Sequence, residues 1–374
     1  MPLLSILRLL FSLFSWIILA AAVWLLWEWY QGDTFRTESG ELITIRKDWL
    51  LWLGLALALW SFLGNYVWTL LLARPDNDQA TPERQGGVIV PGAGNSRLYI
   101  ESCGPDDGAP IIFTHGAGMD STAWYLAKKD FGQDFRVITW DLPGLGRSKS
   151  ASIDLAEYAD QLQSVVRYVG RPCVVVGHSM GGMTIQTLAL RHPAMFGTDI
   201  TGVVLLNTTY TNPLKTMIFA NLAQALRPVL EVLFRIQIAL VPLVWISAWQ
   251  SYLSGSTHMA NRLICGKGIS RKQLNHISLL GTRNSPASIA KGNLAMFQWD
   301  ATGAMANVSV PVLIIAGSAD IVTKPVASET IASTALASEL HVVPGANHMS
   351  FLDHAPAYHA LIKRFTLAAG TAQA

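Results

Sequence analysis

The chain has 374 residues, of which 51 % are hydrophobic and only 14 % charged, with a net charge of +2 and a mean hydropathy of +0.33. Soluble domains carry about 25 % charged residues, so part of this chain is expected to meet lipid. No basic run interleaved with aromatics marks a nucleic-acid surface. The three widely spaced cysteines, Cys103, Cys173 and Cys265, make neither a CxxC pair nor a disulfide framework.

The apolar excess sits at the N-terminus. "LLFSLFSWIILAAAVWLLWEWY", Leu9 to Tyr30, carries one charge, Glu28, and "WLLWLGLALALWSFLGNYVWTLLLA", Trp49 to Ala73, carries none. Each is long enough for a transmembrane helix, which needs about 20 apolar residues. A signal peptide has a shorter apolar region and leaves the second run unexplained. Trp24, Trp27, Trp29 and Tyr30 close the first run and Trp49 and Trp52 open the second, as an aromatic belt at one interface would. Two spans make a two-pass integral membrane protein whose C-terminal domain lies on the side of the N-terminus. The flanking basic residues come near a tie, and the lack of cysteine pairing tips the reading to the cytosolic side. "RPDNDQATPERQGG", Arg74 to Gly87, reads as a linker. The expected organisation is an anchor over residues 1–86, a core over 87–213 and 308–374, and a helical insert over 214–307.

From Gly87 onward, short apolar β-branched runs alternate with helical patterns. "RLYIESC", "PIIFTHG", "FRVITWD", "PCVVVGHS", "GVVLLNT", "PVLIIAG" and "LHVVPG" read as strands. Most lack polar alternation, which suits a parallel sheet buried on both faces. Helices are expected at Ser121–Phe131, Leu155–Val169, Met183–Arg191 and Pro325–Thr334. The fold class is therefore α/β, a mostly parallel sheet flanked by helices. Ligands gather at the C-terminal ends of such strands. His115, Asp141, Ser179, Asp320 and His348 all follow strands closely.

Ser179 lies in "VVVGHSMGGM" between a strand and a helix, the setting of a nucleophile elbow. Gly177 and Gly181 clear the turn, and Met180 offers an N–H at the helix start for an oxyanion. The bland alternative is a glycine turn with an idle serine. A serine hydroxyl needs a base, and His348 in "VPGANHMSF" is the best placed; His341, His354 and His359 compete. A base needs a third group to orient it, and Asp320 in "IIAGSADIVTKP" is preferred over Asp353. Gly116, Ala117 and Gly118 in "FTHGAGMDSTAW" admit close backbone approach, with the Ala117 N–H as second oxyanion donor and His115 ordering the loop. No ligand cluster suggests a metal, and this chemistry needs no cofactor.

The blocks "HGAG", "DLPGLGRS", "GHSMGG", "GSAD" and "GANH", in that order, resemble the α/β-hydrolase superfamily, in particular its esterase, lipase and haloperoxidase-like branch. The resemblance runs from about Gly87 to the C-terminus, apart from the insert. It implies Ser179 as nucleophile, His348 as base, Asp320 as acid, and Ala117 with Met180 as oxyanion donors. A serine at the elbow sets the chain apart from the epoxide hydrolases and haloalkane dehalogenases of that superfamily, which use aspartate. "HMSFLDHAP" departs from the family's pattern after the histidine and leaves the start of the last helix open.

The insert holds "MIFANLAQALRPVLEVLFRIQIALVPLVWISAW", Met217 to Trp249, broken by Pro228 and Pro242. It reads either as an ordinary cap buried on the core or as a cap touching the bilayer. The expected function is a membrane-anchored serine hydrolase acting on lipophilic esters such as a monoacylglycerol or lysophospholipid, with the bilayer as partner and no nucleic acid. The alternatives are C–C bond hydrolysis or perhydrolysis by the same triad, and a non-catalytic binding protein on the same fold.

Overall fold

Leu, Ile, Ala and Trp on every face make the first two helices apolar all round: α1 (Pro2–Gln31) and α2 (Asp48–Leu72). Both are long and apolar enough to cross a membrane. The computed structural model describes residues 2–371. Helix α1 starts well before Leu9, because Ser5 and Arg8 interrupt the apolar run without breaking a helix. Between the helices, β1 (Asp33–Arg36) and β2 (Leu42–Ile45) form an antiparallel hairpin where the sequence pattern suggests only a loop. Trp24, Trp27, Tyr30, Trp49 and Trp52, at the hairpin ends of the two helices, are all exposed.

The polar stretch after α2 is no free tether. The Arg74 N–H donates to the Ile269 carbonyl at 2.9 Å, and the Arg271 N–H donates back to the Arg74 carbonyl at 2.9 Å. Arg84 bridges the carboxylates of Asp120 and Asp141, each at 3.0 Å, and its guanidinium lies over the Tyr99 ring.

The core strands are β3 (Val88–Pro91), β4 (Arg97–Cys103), β5 (Ala109–Thr114), β6 (Phe135–Trp140), β7 (Cys173–His178), β8 (Ile200–Leu206), β9 (Val312–Gly317) and β10 (Ser338–Val343). They form one sheet in the order β10-β9-β8-β7-β5-β6-β4-β3. Strands β5 to β10 run parallel to their neighbours among themselves, while β4 pairs antiparallel with both β6 and β3. Every residue of β7 and β9 is buried, as their unbroken apolar runs require. The flanking helices are α3 (Tyr125–Phe131), α4 (Leu155–Val169) and α5 (Met180–Arg191). Leu155, Leu162, Val165 and Met183 fill one face of the sheet; Phe113, Phe131, Phe351 and Phe365 fill the other.

The insert is helical: α6 (Pro213–Thr216), α7 (Ala220–Ala225), α8 (Arg227–Ala239), α9 (Val241–Leu253), α10 (Ser256–Arg262), α11 (Arg271–Arg283) and α12 (Pro286–Gln298). Pro242 lacks an N–H and fits only the first turn of α9; α8 and α9 meet there at a bend of 103°. The chain ends with α13 (Pro325–Thr334), α14 (Ser350–Asp353) and α15 (Ala355–Thr371).

The two N-terminal helices dock on this insert. Ser12 and Ser247 share a hydroxyl hydrogen bond at 2.7 Å, and Ser15 donates to Ser254 at 2.8 Å. Arg262 at the end of α10 donates to the Leu72 carbonyl at 2.9 Å. Backbones come close where Gly64 of α2 meets Ser254: a Cβ at Gly64 would lie 2.4 Å from the Ser254 carbonyl oxygen.

Candidate active site

Strand β7 ends in a turn so tight that Ser179 is held at φ 52°, in the left-handed half of the map that disfavours a side chain. The strain is supported from three directions. The Ser179 N–H donates to the Leu206 carbonyl at 3.0 Å. The Ser179 carbonyl accepts from the Met183 N–H at 3.1 Å and from the Thr208 hydroxyl at 2.7 Å. Only glycine fits two positions away on either side. A Cβ at Gly181 would sit 2.3 Å from the Thr114 carbonyl oxygen, and one at Gly177 would sit 2.5 Å from the Gly181 backbone. Helix α5 begins at once, at Met180 and not at the expected Met183, because the glycines that look like turn belong to its first turn of helix.

Two distant loops meet the serine. The Ser179 hydroxyl donates to His348 Nε2 at 3.1 Å. His348 Nδ1–H donates to Asp320 Oδ2 at 2.9 Å, both side chains being fully buried. A carboxylate cannot donate, so this partner fixes the tautomer and leaves Nε2 free to take a proton. Asp320 also accepts from the Val322 N–H at 2.7 Å, the Thr323 N–H at 2.9 Å and the Asn207 amide at 2.9 Å. Burial alone would raise this carboxyl; the adjacent His348 imidazole and these donors outweigh burial and hold it below the usual carboxylate value.

The loop carrying His348 is tied down on both sides. His178 Nε2–H donates to the His348 carbonyl at 2.9 Å, and the Met349 N–H donates to the Ile264 carbonyl of the insert at 3.0 Å. The His178 ring is fully buried against Phe351 at 4.5 Å between centroids. Burial, reinforced by His348 next to it, lowers its pKa to about 3, so it stays neutral.

The loop after β5 lies alongside. His115 is buried; its Nδ1–H donates to the Gly116 carbonyl at 2.9 Å, and its Nε2 accepts from the Leu142 N–H at 3.0 Å. It thus staples this loop to the one after β6. A Cβ at Gly116 would lie 2.9 Å from His178 Nδ1 and 3.2 Å from Ser179 Cβ, so the loop backbone passes directly over the serine. Gly118 takes φ +72°, and its carbonyl accepts from Asn284 at the end of α11 at 3.2 Å. Among the described residues, no hydrogen bond occupies the Ala117 or Met180 N–H.

The rival side chains are engaged elsewhere. His341 pairs with Glu339, His354 with Asp353, and His359 with Asp130. Asp141 accepts from the Ser121 and Arg147 N–H groups, each at 2.7 Å, and organises loops. No cluster of potential metal ligands occurs among the described residues.

An apolar cavity of about 320 Å³ opens beside the site. Its wall includes Ala117, Gly118 and Met349 next to the site, Phe234, Val244 and Ile289 from the insert, and Ser5, Arg8, Leu9 and Ser12 from α1. The first N-terminal helix therefore forms part of the cavity wall.

Comparison with known proteins places the fold in a family. The sequence profile of the alpha/beta hydrolase family matches residues 111–361. The chain belongs to that family. It is 26 % identical over 290 residues to a pimeloyl-acyl-carrier protein methyl ester esterase of Nitrosospira multiformis, covering 73 % of this chain and 99 % of the relative. Over a shorter stretch of 100 residues, 26 % of this chain and 36 % of the relative, it is 35 % identical to a bifunctional esterase/perhydrolase of Acinetobacter calcoaceticus. Among solved structures, an esterase from Exiguobacterium antarcticum superposes with a TM-score of 0.61 at 17 % identity, covering 75 % of this chain and 99 % of that one. That likeness supports the fold.

The site residues expected from sequence all fall around this one elbow. Sequence reasoning misses Asn207, His178, Thr208 and Asn284. Asn207 carries a usable signal, since it directly follows β8 as Asp141 follows β6. Asn284 carries none, because its role depends on where the insert folds back.

Proposed function

We propose that this family member is a membrane-anchored serine esterase that cleaves lipophilic carboxylic esters. The observation that carries the reading is the buried relay Ser179 Oγ–His348 Nε2–Asp320 Oδ2, with links of 3.1 and 2.9 Å, on a serine strained at φ 52°. The esterase relatives support the bond cleaved.

Ser179 Oγ attacks the ester carbonyl carbon while its proton passes to His348 Nε2. The negative charge on the carbonyl oxygen is met by the Ala117 and Met180 N–H groups, the latter at the positive end of α5. Asp320, kept ionised, stabilises the imidazolium without taking its proton. His348 then protonates the leaving alcohol, and water, deprotonated by the same imidazole, releases the acid and restores Ser179.

The lipid side of the proposal rests on surface chemistry. Leu10, Phe14, Ile17 and Leu59 of the two N-terminal helices are exposed, and so are Val232, Ile236, Leu243 and Ile246 of α8 and α9. Large apolar side chains exposed in such number on neighbouring helices suit contact with lipid better than with water. In the proposed setting α1 and α2 cross the bilayer and the bent α8–α9 pair dips into the near leaflet. Ester then enters the cavity from the lipid phase.

Fluorophosphonate labelling of the full chain in detergent or nanodiscs tests the enzymatic core. Wild type should be labelled at Ser179, and Ser179→Ala should not react. A wild type that remains unlabelled, though folded, is a binding protein on this fold and ends the proposal.

A further inference from the structure

Arg8 is the only charged side chain among the described residues lining the cavity. It lies on α1 with Ser5 and Ser12, all on the helix face turned to the cavity. Its Nη2 donates to the Asn261 side-chain oxygen, a neutral acceptor. Its Nε is buried and has no hydrogen-bond partner among the described residues. No carboxylate among them pairs with it. A buried guanidinium without an anion is costly. In a membrane helix such a residue marks a place where charge is handled.

Depth points the same way. The apolar span from Leu4 to Gln31 has 28 residues, about 42 Å at the helical rise. The hydrocarbon layer is only about 30 Å thick. With α1 crossing the bilayer as proposed above, and the exposed Trp24, Trp27 and Tyr30 at the far interface, the surplus falls on its first turns, where Leu4 joins the core of the catalytic domain. Arg8 lies inside the cavity, with apolar wall from Leu233, Phe234 and Ile289 around it, and in that setting it comes to the level of lipid headgroups.

We propose that Arg8 is the anion-recognition residue of the substrate cavity, so that the ester cleaved at Ser179 carries a phosphate or carboxylate as well as an apolar chain. This rests on the reading of Ser179 as the nucleophile and narrows it to anionic amphiphiles. A planar guanidinium with an open N–H edge suits both oxyanions.

The test uses the full chain in phosphatidylcholine nanodiscs with three oleoyl esters: lysophosphatidic acid, O-oleoyl glycolate and neutral monooleoylglycerol. At least one anionic ester should exceed the neutral one about tenfold in kcat/KM, and which of the two wins assigns phosphate or carboxylate. Arg8→Gln should lower the anionic-to-neutral ratio about tenfold, mainly through KM, and Arg8→Lys should restore part of it. A wild-type ratio near one overturns the proposal without needing any variant. So does an Arg8→Gln ratio equal to wild type, because a clamp on Asn261 would lower both substrates alike. Fluorophosphonate labelling of the same samples separates the two readings. Intact labelling with no anion preference removes only the role of Arg8, whereas absent labelling removes the esterase with it.

Discussion

The side-chain amide of Asn207 links Tyr358 to Asp320. Its nitrogen donates to Asp320 Oδ2 at 2.9 Å while its oxygen accepts from the Tyr358 hydroxyl at 2.7 Å. Tyr358 thereby fixes which end of the amide faces the carboxylate. Asn207 adopts φ 43°, a conformation that asparagine and glycine tolerate better than other residues. Asn207→Gly keeps the backbone and removes the amide. A hydrogen bond to a charged group is worth roughly 1.5–3 kcal/mol, so kcat on a short-chain ester should fall about tenfold or more with little change in KM. An unchanged kcat would show that Asp320 is oriented without Asn207.

Much of this arrangement is legible in the sequence, for a physical reason. Strands buried on both faces are apolar almost throughout, so "VVVGH" and "VLIIAG" stand out, and Ser179 directly after the first and Asp320 three residues after the second are conspicuous. Helix Leu155–Val169 is equally plain, bounded by the Asp154 cap and by Gly170 at φ +68°. The hairpin of β1 and β2 is hidden because its eight residues are all exposed and bury no face that would impose a pattern. Strand β3 is hidden because it is a four-residue edge ending in Pro91. The segment after α2 looks like a linker because its order comes from single long-range bonds, such as Arg84 to Asp120, that leave no periodicity. The place of Arg8 in a cavity depends on how α1 docks on the insert, and no local pattern encodes that.

Acid should destabilise the fold through its buried neutral histidines. The His178 pKa is lowered from 6.5 to about 3 by burial, with His348 adding to it, and His276 is lowered to about 4, chiefly by burial. His115 shifts the same way. The unfolded chain binds these protons near pH 6.5 and the folded chain does not. Their stabilisation is therefore complete above pH 6.5 and declines as pH falls from there toward 4 or 3. Each group contributes a slope of about 1.4 kcal/mol per pH unit within its window. His178→Asn should lower the melting temperature at pH 7.5 and also make its fall between pH 6.5 and 5 shallower. A parallel pH profile in the variant would contradict the assignment.

The cavity has an adjustable wall at Gly281, in the last turn of α11. A Cβ there meets nothing within 4 Å, and the residue faces the cavity. Gly281→Ala should stabilise the protein by up to about 1 kcal/mol through helix propensity alone, the full interior value being the ceiling for a residue in the last turn. Gly281→Phe places a ring in a space of about 320 Å³. Hydrolysis of a sixteen-carbon acyl ester should then fall at least about tenfold while a four-carbon ester is cleaved nearly as before, since only the long chain needs that volume. Equal losses on both esters would place the acyl chain elsewhere.

The contact between α2 and the insert makes a prediction about the membrane helices themselves. Gly64 admits the Ser254 carbonyl, and next to it Gly255 lies under Trp68, where a Cβ would come within 2.3 Å of the indole. Gly64→Leu cannot fit without moving α2 away from the corner between α9 and α10. That corner also holds Ser15 of α1 through Ser254 and Gln250, so the displacement should carry α1 with it and open the cavity wall. The melting temperature in detergent should drop by several degrees, as about 1–3 kcal/mol of overpacking implies. Long-chain ester hydrolysis should fall further than short-chain hydrolysis, because the relay of Ser179, His348 and Asp320 is built from loops at the ends of β7, β9 and β10, whereas α2 packs chiefly on α1, α9, α10 and α11. If the variant lost both activities in the same proportion, the anchor would be supporting the catalytic loops rather than shaping the cavity, and α1 could no longer be regarded as a wall for lipid substrates.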